Sequence, residues 1–99
     1  MFVHVVLFWA KDDATPAQHQ QLLDDCREYL GKIPVLKYFD VGRPAMTPRE
    51  VVDNSYTVGL LTVFDDSAGH DAYQTDPSHL KFIERNKGMW KRVQIYDFA

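Results

Sequence analysis

At 99 residues the chain has the length of one domain, and with 45% hydrophobic and 13% aromatic residues it can build a core. A net charge of −3 leaves no basic footprint for nucleic acid or an anionic membrane surface. The single cysteine, Cys26, excludes a disulfide framework within the chain and fits a reducing, cytoplasmic compartment.

Phe2 to Ala10 is β-branched and aromatic and predicts a first strand. It is too short for a membrane span and lacks the basic lead of a signal peptide. Both its faces are apolar: Phe2, Val6 and Phe8 lie with His4, and Val3, Val5, Leu7 and Trp9 point the other way. Thr15-Pro16-Ala17-Gln18 is a capping box with proline at the first helical position. The helix it opens carries Leu22, Cys26, Tyr29, Leu30 and Ile33 on one stripe, with Gly31 placed to end it. Val35 to Val41 predicts a second strand ending at Gly42, and Arg43 to Asp53 a proline-bearing loop. Tyr56 to Phe64 predicts a third strand, again apolar on both faces. Asp66 or Ser67 caps a short helix through Tyr73, Pro77 starts another to about Asn86, and Arg92 to Phe98 is the last strand.

The order is β-α-β-β-α-β, a ferredoxin-like α+β fold with one four-stranded antiparallel sheet formed by residues 1–99 as a single domain. In that topology the first and third strands are central, with the fourth beside the first. The helices cover one face of the sheet, yet both central strands are apolar on two faces. A second copy of the chain is the simplest cover, so a symmetric homodimer is expected.

Tyr73-Gln-Thr-Asp-Pro-Ser-His79 is the stretch that bears most on chemistry. Asp76 can cap a helix whose first residue is Pro77, which puts His79 in the first turn. The partial positive charge of that terminus favours the neutral imidazole, a form suited to general-base work. The ordinary alternative is a buried histidine bonded to the protein and a core tyrosine. His4 is the one polar residue on its strand face and would need a partner, which Asp97 on the neighbouring strand can supply. His4, His79 and Asp97 have the composition of a two-histidine, one-carboxylate metal triad, but no local ligand spacing accompanies them, and no metal or other cofactor is expected. His19 and His70 read as solvated helix residues, and Cys26 as core.

His4-Val-Val-Leu-Phe8, Ile33-Pro34, Phe64-Asp-Asp, Tyr73-x-x-Asp-Pro-x-His79-x-x-Phe82 and Tyr96-Asp97-Phe98 together resemble the stress-responsive A/B barrel (Dabb) domains. The resemblance implies a dimeric α+β barrel, with two sheets face to face and the helices outside. A plant polyketide cyclase of this fold uses a tyrosine and a histidine, at positions matching Tyr73 and His79, for a cofactor-free condensation. By that resemblance Tyr73 and His79 are the candidate catalytic pair. His4, Trp90 and Asp97 match further positions of its pocket between sheet and helices. Leu22, Leu23 and Cys26 stand where that enzyme has bulkier aromatic residues, so a different substrate is implied. Two functions follow: a domain that binds a small apolar carbonyl or phenolic compound with cyclase- or isomerase-like chemistry, or a non-catalytic assembly or ligand-sequestering protein.

Overall fold

The computed structural model describes residues 1–99. Four strands, β1 (Phe2–Ala10), β2 (Tyr38–Gly42), β3 (Val58–Phe64) and β4 (Trp90–Phe98), form one antiparallel sheet in the order β2-β3-β1-β4. This is the expected ferredoxin-like arrangement. Three helices, α1 (Pro16–Asp25), α2 (Ser67–Thr75) and α3 (Pro77–Asn86), pack on one face. The expected strand starts shift by two or three residues. Val35 and Leu36 pack against the core from a turn rather than a strand, and β4 begins earlier, at Trp90, where it pairs with Ala10 across a bulge.

The local signals act as read. The Thr15 hydroxyl accepts from the Gln18 N–H at 3.2 Å, and the Gln18 side-chain oxygen accepts from the Thr15 N–H at 2.9 Å, closing the capping box. After Asp25 the helix widens into a π-turn, Cys26–Leu30, closed by the Gly31 N–H donating to the Cys26 carbonyl at 2.9 Å. Gly31 does end this segment, but in a right-handed conformation (φ −64°). A β-carbon there would lie 2.9 Å from both the Arg27 carbonyl oxygen and a Phe39 ring carbon, so the glycine permits close packing rather than a left-handed turn.

Four polar contacts set the angle of α3. Asp76 caps it by accepting from the Ser78 N–H at 2.8 Å, and the Ser78 hydroxyl donates to the Tyr29 carbonyl, fastening the helix start to the π-turn. At the other end, buried Asp25 accepts from Arg85 at 2.8 Å and from Asn86 at 2.9 Å. Between these fastenings Phe82 enters the core against Phe8, with ring centroids 5.9 Å apart. A Phe, Leu and Val core lies between helices and sheet, with Leu22, Leu30, Val58 and Phe64 at most 1% exposed.

The opposite sheet face carries Val5, Leu7, Leu61 and Val63, all only half-buried. Tyr38, Tyr96 and Phe98 are exposed. At one end Trp9 is covered locally, by Tyr56 at a 6.4 Å ring separation and by the Arg92 guanidinium 4.3 Å above its ring. A hollow of about 330 Å³ between Val5, Leu7, Gly59 and Tyr56 remains on this face. No helix is long and apolar enough to cross a membrane.

Candidate functional site

The Asp-Pro junction brings the two candidate catalytic residues together. Tyr73 is in the last turns of α2 and His79 in the first turn of α3, and their rings meet edge to face with centroids 4.7 Å apart. Both face the sheet: Tyr73 is 1% and His79 9% exposed. Beside them a cavity of about 290 Å³ runs between the helices and β1 and β4. Its wall is mostly apolar, formed by Val6, Phe8, Leu30, Leu60, Phe82, Ile83, Val93 and Ile95, with His4, Tyr73, Gln74, His79 and Trp90 adding polar atoms. A few convergent polar groups in an apolar concavity is the usual make-up of a small-molecule site.

Two of those polar atoms stand out. His79 Nδ1 and Trp90 Nε1 are buried and have no hydrogen-bond partner in the protein. Leaving such groups unpaired costs on the order of 1–3 kcal/mol each, so native structures rarely do it without a reason. The His79 imidazole is held below its ordinary pKa, first by burial and then by His4 and His70, which keeps it neutral near pH 7. Burial also pushes the Tyr73 phenol up, so it stays protonated and can only act as a hydrogen-bond donor or neutral acceptor. Cys26 is pushed up to about 12 by burial, and is an inert thiol at neutral pH.

His4 stands directly opposite Asp97 of β4 and Thr62 of β3. Its Nδ1–H donates to Asp97 Oδ1 at 2.5 Å, while the Thr62 hydroxyl donates to the His4 carbonyl at 3.1 Å. The expected partner of His4 is therefore in place. His4 lines the cavity as expected, whereas Asp97, also expected as a pocket residue, does not: it is held behind His4 by their hydrogen bond.

Some expectations are corrected. Leu22, Leu23 and Cys26 are core residues, 0%, 8% and 0% exposed, and do not line the cavity. The physical reason is the path of the chain: α1 lies against β3 and buries Leu22 and Leu23, and Cys26 at the start of the π-turn is fully buried. Only the end of that turn, which packs on α3, brings Leu30 to the cavity. His70 is not a solvated helix residue. Its ring stacks on Phe2 at 4.6 Å and lies 4.5 Å from the His4 ring, and the Gln74 amide donates to its Nε2 at 2.9 Å. Burial and the neighbouring His4 lower its pKa. The group that gathers ligand atoms within 4.8 Å is thus His4, His70 and Asp97, without His79. His19, on α1, is half-buried and takes no part in the site.

Sequence reasoning missed Val6, Phe8, Leu30, Leu60, Gln74, Phe82, Ile83, Val93 and Ile95 as cavity residues. A signal existed for Ile83, four positions after His79 on α3, but none distinguishes a wall residue from a core residue on a strand.

Solved structures with the same fold include a dimeric ferredoxin-like protein of unknown function from Thermobifida fusca. It is 24% identical with a TM-score of 0.83, over 99% of this chain and 89% of that one. A Dabb family protein from Mesorhizobium loti is 22% identical with a TM-score of 0.80, over 99% and 94%. A hydroxynitrile lyase from Passiflora edulis is 16% identical with a TM-score of 0.79, over 98% and 90%. No curated protein matches the sequence significantly. The stress responsive A/B barrel domain, Dabb, matches residues 2–99, in accord with the motifs and the fold. With nearly every residue inside that match, the chain belongs to the Dabb family.

Proposed function

We propose that the chain is a homodimer in which each cavity between sheet and helices binds a small apolar carbonyl or phenolic compound, and that His79 and Tyr73 carry out proton transfer on it. The observation that carries this is the pair of buried, unpartnered nitrogens, His79 Nδ1 and Trp90 Nε1, in a 290 Å³ apolar cavity. A ligand oxygen would accept from the Trp90 indole N–H, and a polar or acidic hydrogen of the ligand would meet the imidazole. Apolar walls of Val, Leu, Ile and Phe favour an aromatic or aliphatic body over a charged one.

The chemistry follows from the protonation states. Neutral His79 removes a proton from the carbon next to the ligand carbonyl and becomes imidazolium. The electron pair moves onto the carbonyl oxygen, where a hydroxyl donor such as Tyr73 stabilises the developing charge. Return of the proton to the same or another carbon completes exchange or isomerisation, and attack of the enolate carbon on a second carbonyl gives cyclisation. Acid and base both come from the chain, so the steps need no cofactor. The Passiflora edulis hydroxynitrile lyase supports this in one respect only: the fold carries an enzyme in that plant.

The dimer rests on the open sheet face. Val5, Leu7, Leu61, Val63, Tyr96 and Phe98 leave an apolar surface without a cover in the single chain. The Thermobifida fusca relative of this fold is dimeric, which supports the same assembly.

Proton abstraction can be tested without knowing the substrate. Aryl methyl ketones incubated with the protein in D2O should lose their α-proton NMR signals faster than in buffer. His79→Gln should return the rate to the buffer level, and Tyr73→Phe should slow exchange by roughly ten- to a thousandfold. Exchange at the buffer rate with the unaltered protein would remove the catalytic half of the proposal; unchanged exchange in His79→Gln would remove the role of His79.

A further inference from the structure

The register of the sheet and the packing of α2 create a second cluster that the acid–base pair does not use. β1 and β4 place His4 and Asp97 directly across from one another, on the face that α2 covers. α2 lays His70 against His4, ring to ring at 4.5 Å. One potential ligand atom from each of the three lies within 4.8 Å of the other two. Atoms bound to one metal at about 2.1 Å are themselves roughly 3–4 Å apart, so rotamer adjustments of about 1 Å bring the set into coordination range.

We propose that His4, His70 and Asp97 bind a divalent first-row transition metal, with two imidazole nitrogens and one carboxylate oxygen as ligands. This donor set suits Zn²⁺, Co²⁺, Ni²⁺ or Cu²⁺ and is poorly matched to Ca²⁺ or Mg²⁺, which take oxygen ligands. Three features favour binding. His4 and Asp97 are held by adjacent strands, so little ordering remains to be done. His70 is stacked on Phe2, which fixes its ring plane, and the Gln74 amide lies beside its Nε2; a turn of that amide to present its oxygen would accept the Nε2–H and leave Nδ1 for the ion. Asp97 is bonded through Oδ1 only, so its second oxygen can turn to an ion. Three protein ligands leave at least one coordination position open. Because His4 and Gln74 also line the cavity, that position lies at the edge of the ligand site.

The inference stands apart from the proposed acid–base chemistry, since His79 is outside the cluster. Chelator-treated full-length protein is titrated with CoCl2, read by calorimetry and by the visible absorption of bound Co²⁺. One Co²⁺ per chain is expected, with visible bands of a mixed nitrogen and oxygen set. His70→Gln and the near-isosteric Asp97→Asn should each weaken binding by at least about tenfold. His19→Gln and His79→Gln should leave it unchanged. Circular dichroism of each variant verifies folding, and His70, half-buried on α2, is the least disruptive of the three ligands to replace. Absence of saturable Co²⁺ binding, or equal affinity in His70→Gln, would overturn the site; ketone exchange intact beside either result would leave the acid–base proposal standing.

Discussion

Replacing Asp97 by alanine isolates what the His4–Asp97 bond does for the fold. His4 has a side chain only 4% exposed in the middle of a central strand, and its Nδ1–H donates to Asp97 at 2.5 Å. Without the carboxylate, that donor has no other partner on the strand face, because Thr62 bonds the His4 backbone carbonyl, not its ring. An orphaned buried donor costs about 1–3 kcal/mol. The Asp97 side chain is 40% exposed, so water can enter where the carboxylate was, which places the loss in the lower half, about 1–2 kcal/mol. For a domain of this size that lowers Tm by roughly 5–15 °C. Urea and thermal unfolding at pH 7.5, at fixed chain concentration because the protein is proposed to dimerise, reads the difference. Asp97→Asn keeps an acceptor oxygen and should lose less. A loss below about 0.5 kcal/mol in Asp97→Ala would refute the reasoning, since His4 would then be satisfied without Asp97.

Other consequences follow from the same geometry. Stability should fall as pH drops below about 6.5: His79 and His70 have depressed pKa values in the fold, so the unfolded chain binds protons first and gains as they are added. The loss begins at the unfolded value near 6.5 and levels off below the lowered folded values; urea unfolding from pH 7.5 to 5 with no change would contradict it. Phe82→Ala should cost about 3 kcal/mol, at the low end for a buried phenylalanine because one side of the ring already borders the cavity. A loss under about 1 kcal/mol would mean that α3 does not rest on Phe8 and Phe82 as described. Leu61→Glu puts a charge in the centre of the open sheet face, and sedimentation should then give the 11.5 kDa chain alone rather than a dimer. A dimer that survives this substitution would have to use another surface.

Much of the architecture was legible because local and global signals agree. The Thr15–Gln18 box and the Asp76-Pro77 junction are short-range devices that act in the fold as they read in the sequence. The β-α-β-β-α-β order put β1 and β3 at the centre of the sheet, where they lie. His4 and Asp97 could be paired once the topology placed β4 beside β1. His70 could not be read, because its neighbours in sequence are Gly69 and Asp71, and its burial comes from Phe2 and His4 more than sixty residues away. The π-turn was equally hidden. Leu22, Cys26 and Leu30 fit one helical stripe and all three belong to the core, yet only Leu30, at the end of the π-turn, also borders the cavity. Side chains that line a cavity and side chains that fill a core have the same chemistry. Distance between layers, which no pattern encodes, decides between them.

The two tryptophans provide the sharpest test of ligand binding between sheet and helices. Trp9 Nε1–H donates to the Ser55 hydroxyl at 3.0 Å on the other side of the sheet, whereas Trp90 Nε1 is buried beside the cavity without a partner. An ¹⁵N-labelled sample therefore has two indole N–H signals, one inside the proposed site and one outside it. Titration with 4-hydroxyacetophenone to millimolar concentration should shift the Trp90 signal downfield, as its N–H gains an oxygen acceptor, together with the His79 ring resonances, and leave Trp9 in place. A Trp90 signal that does not move, or one that moves only in step with Trp9, would contradict a ligand site between sheet and helices.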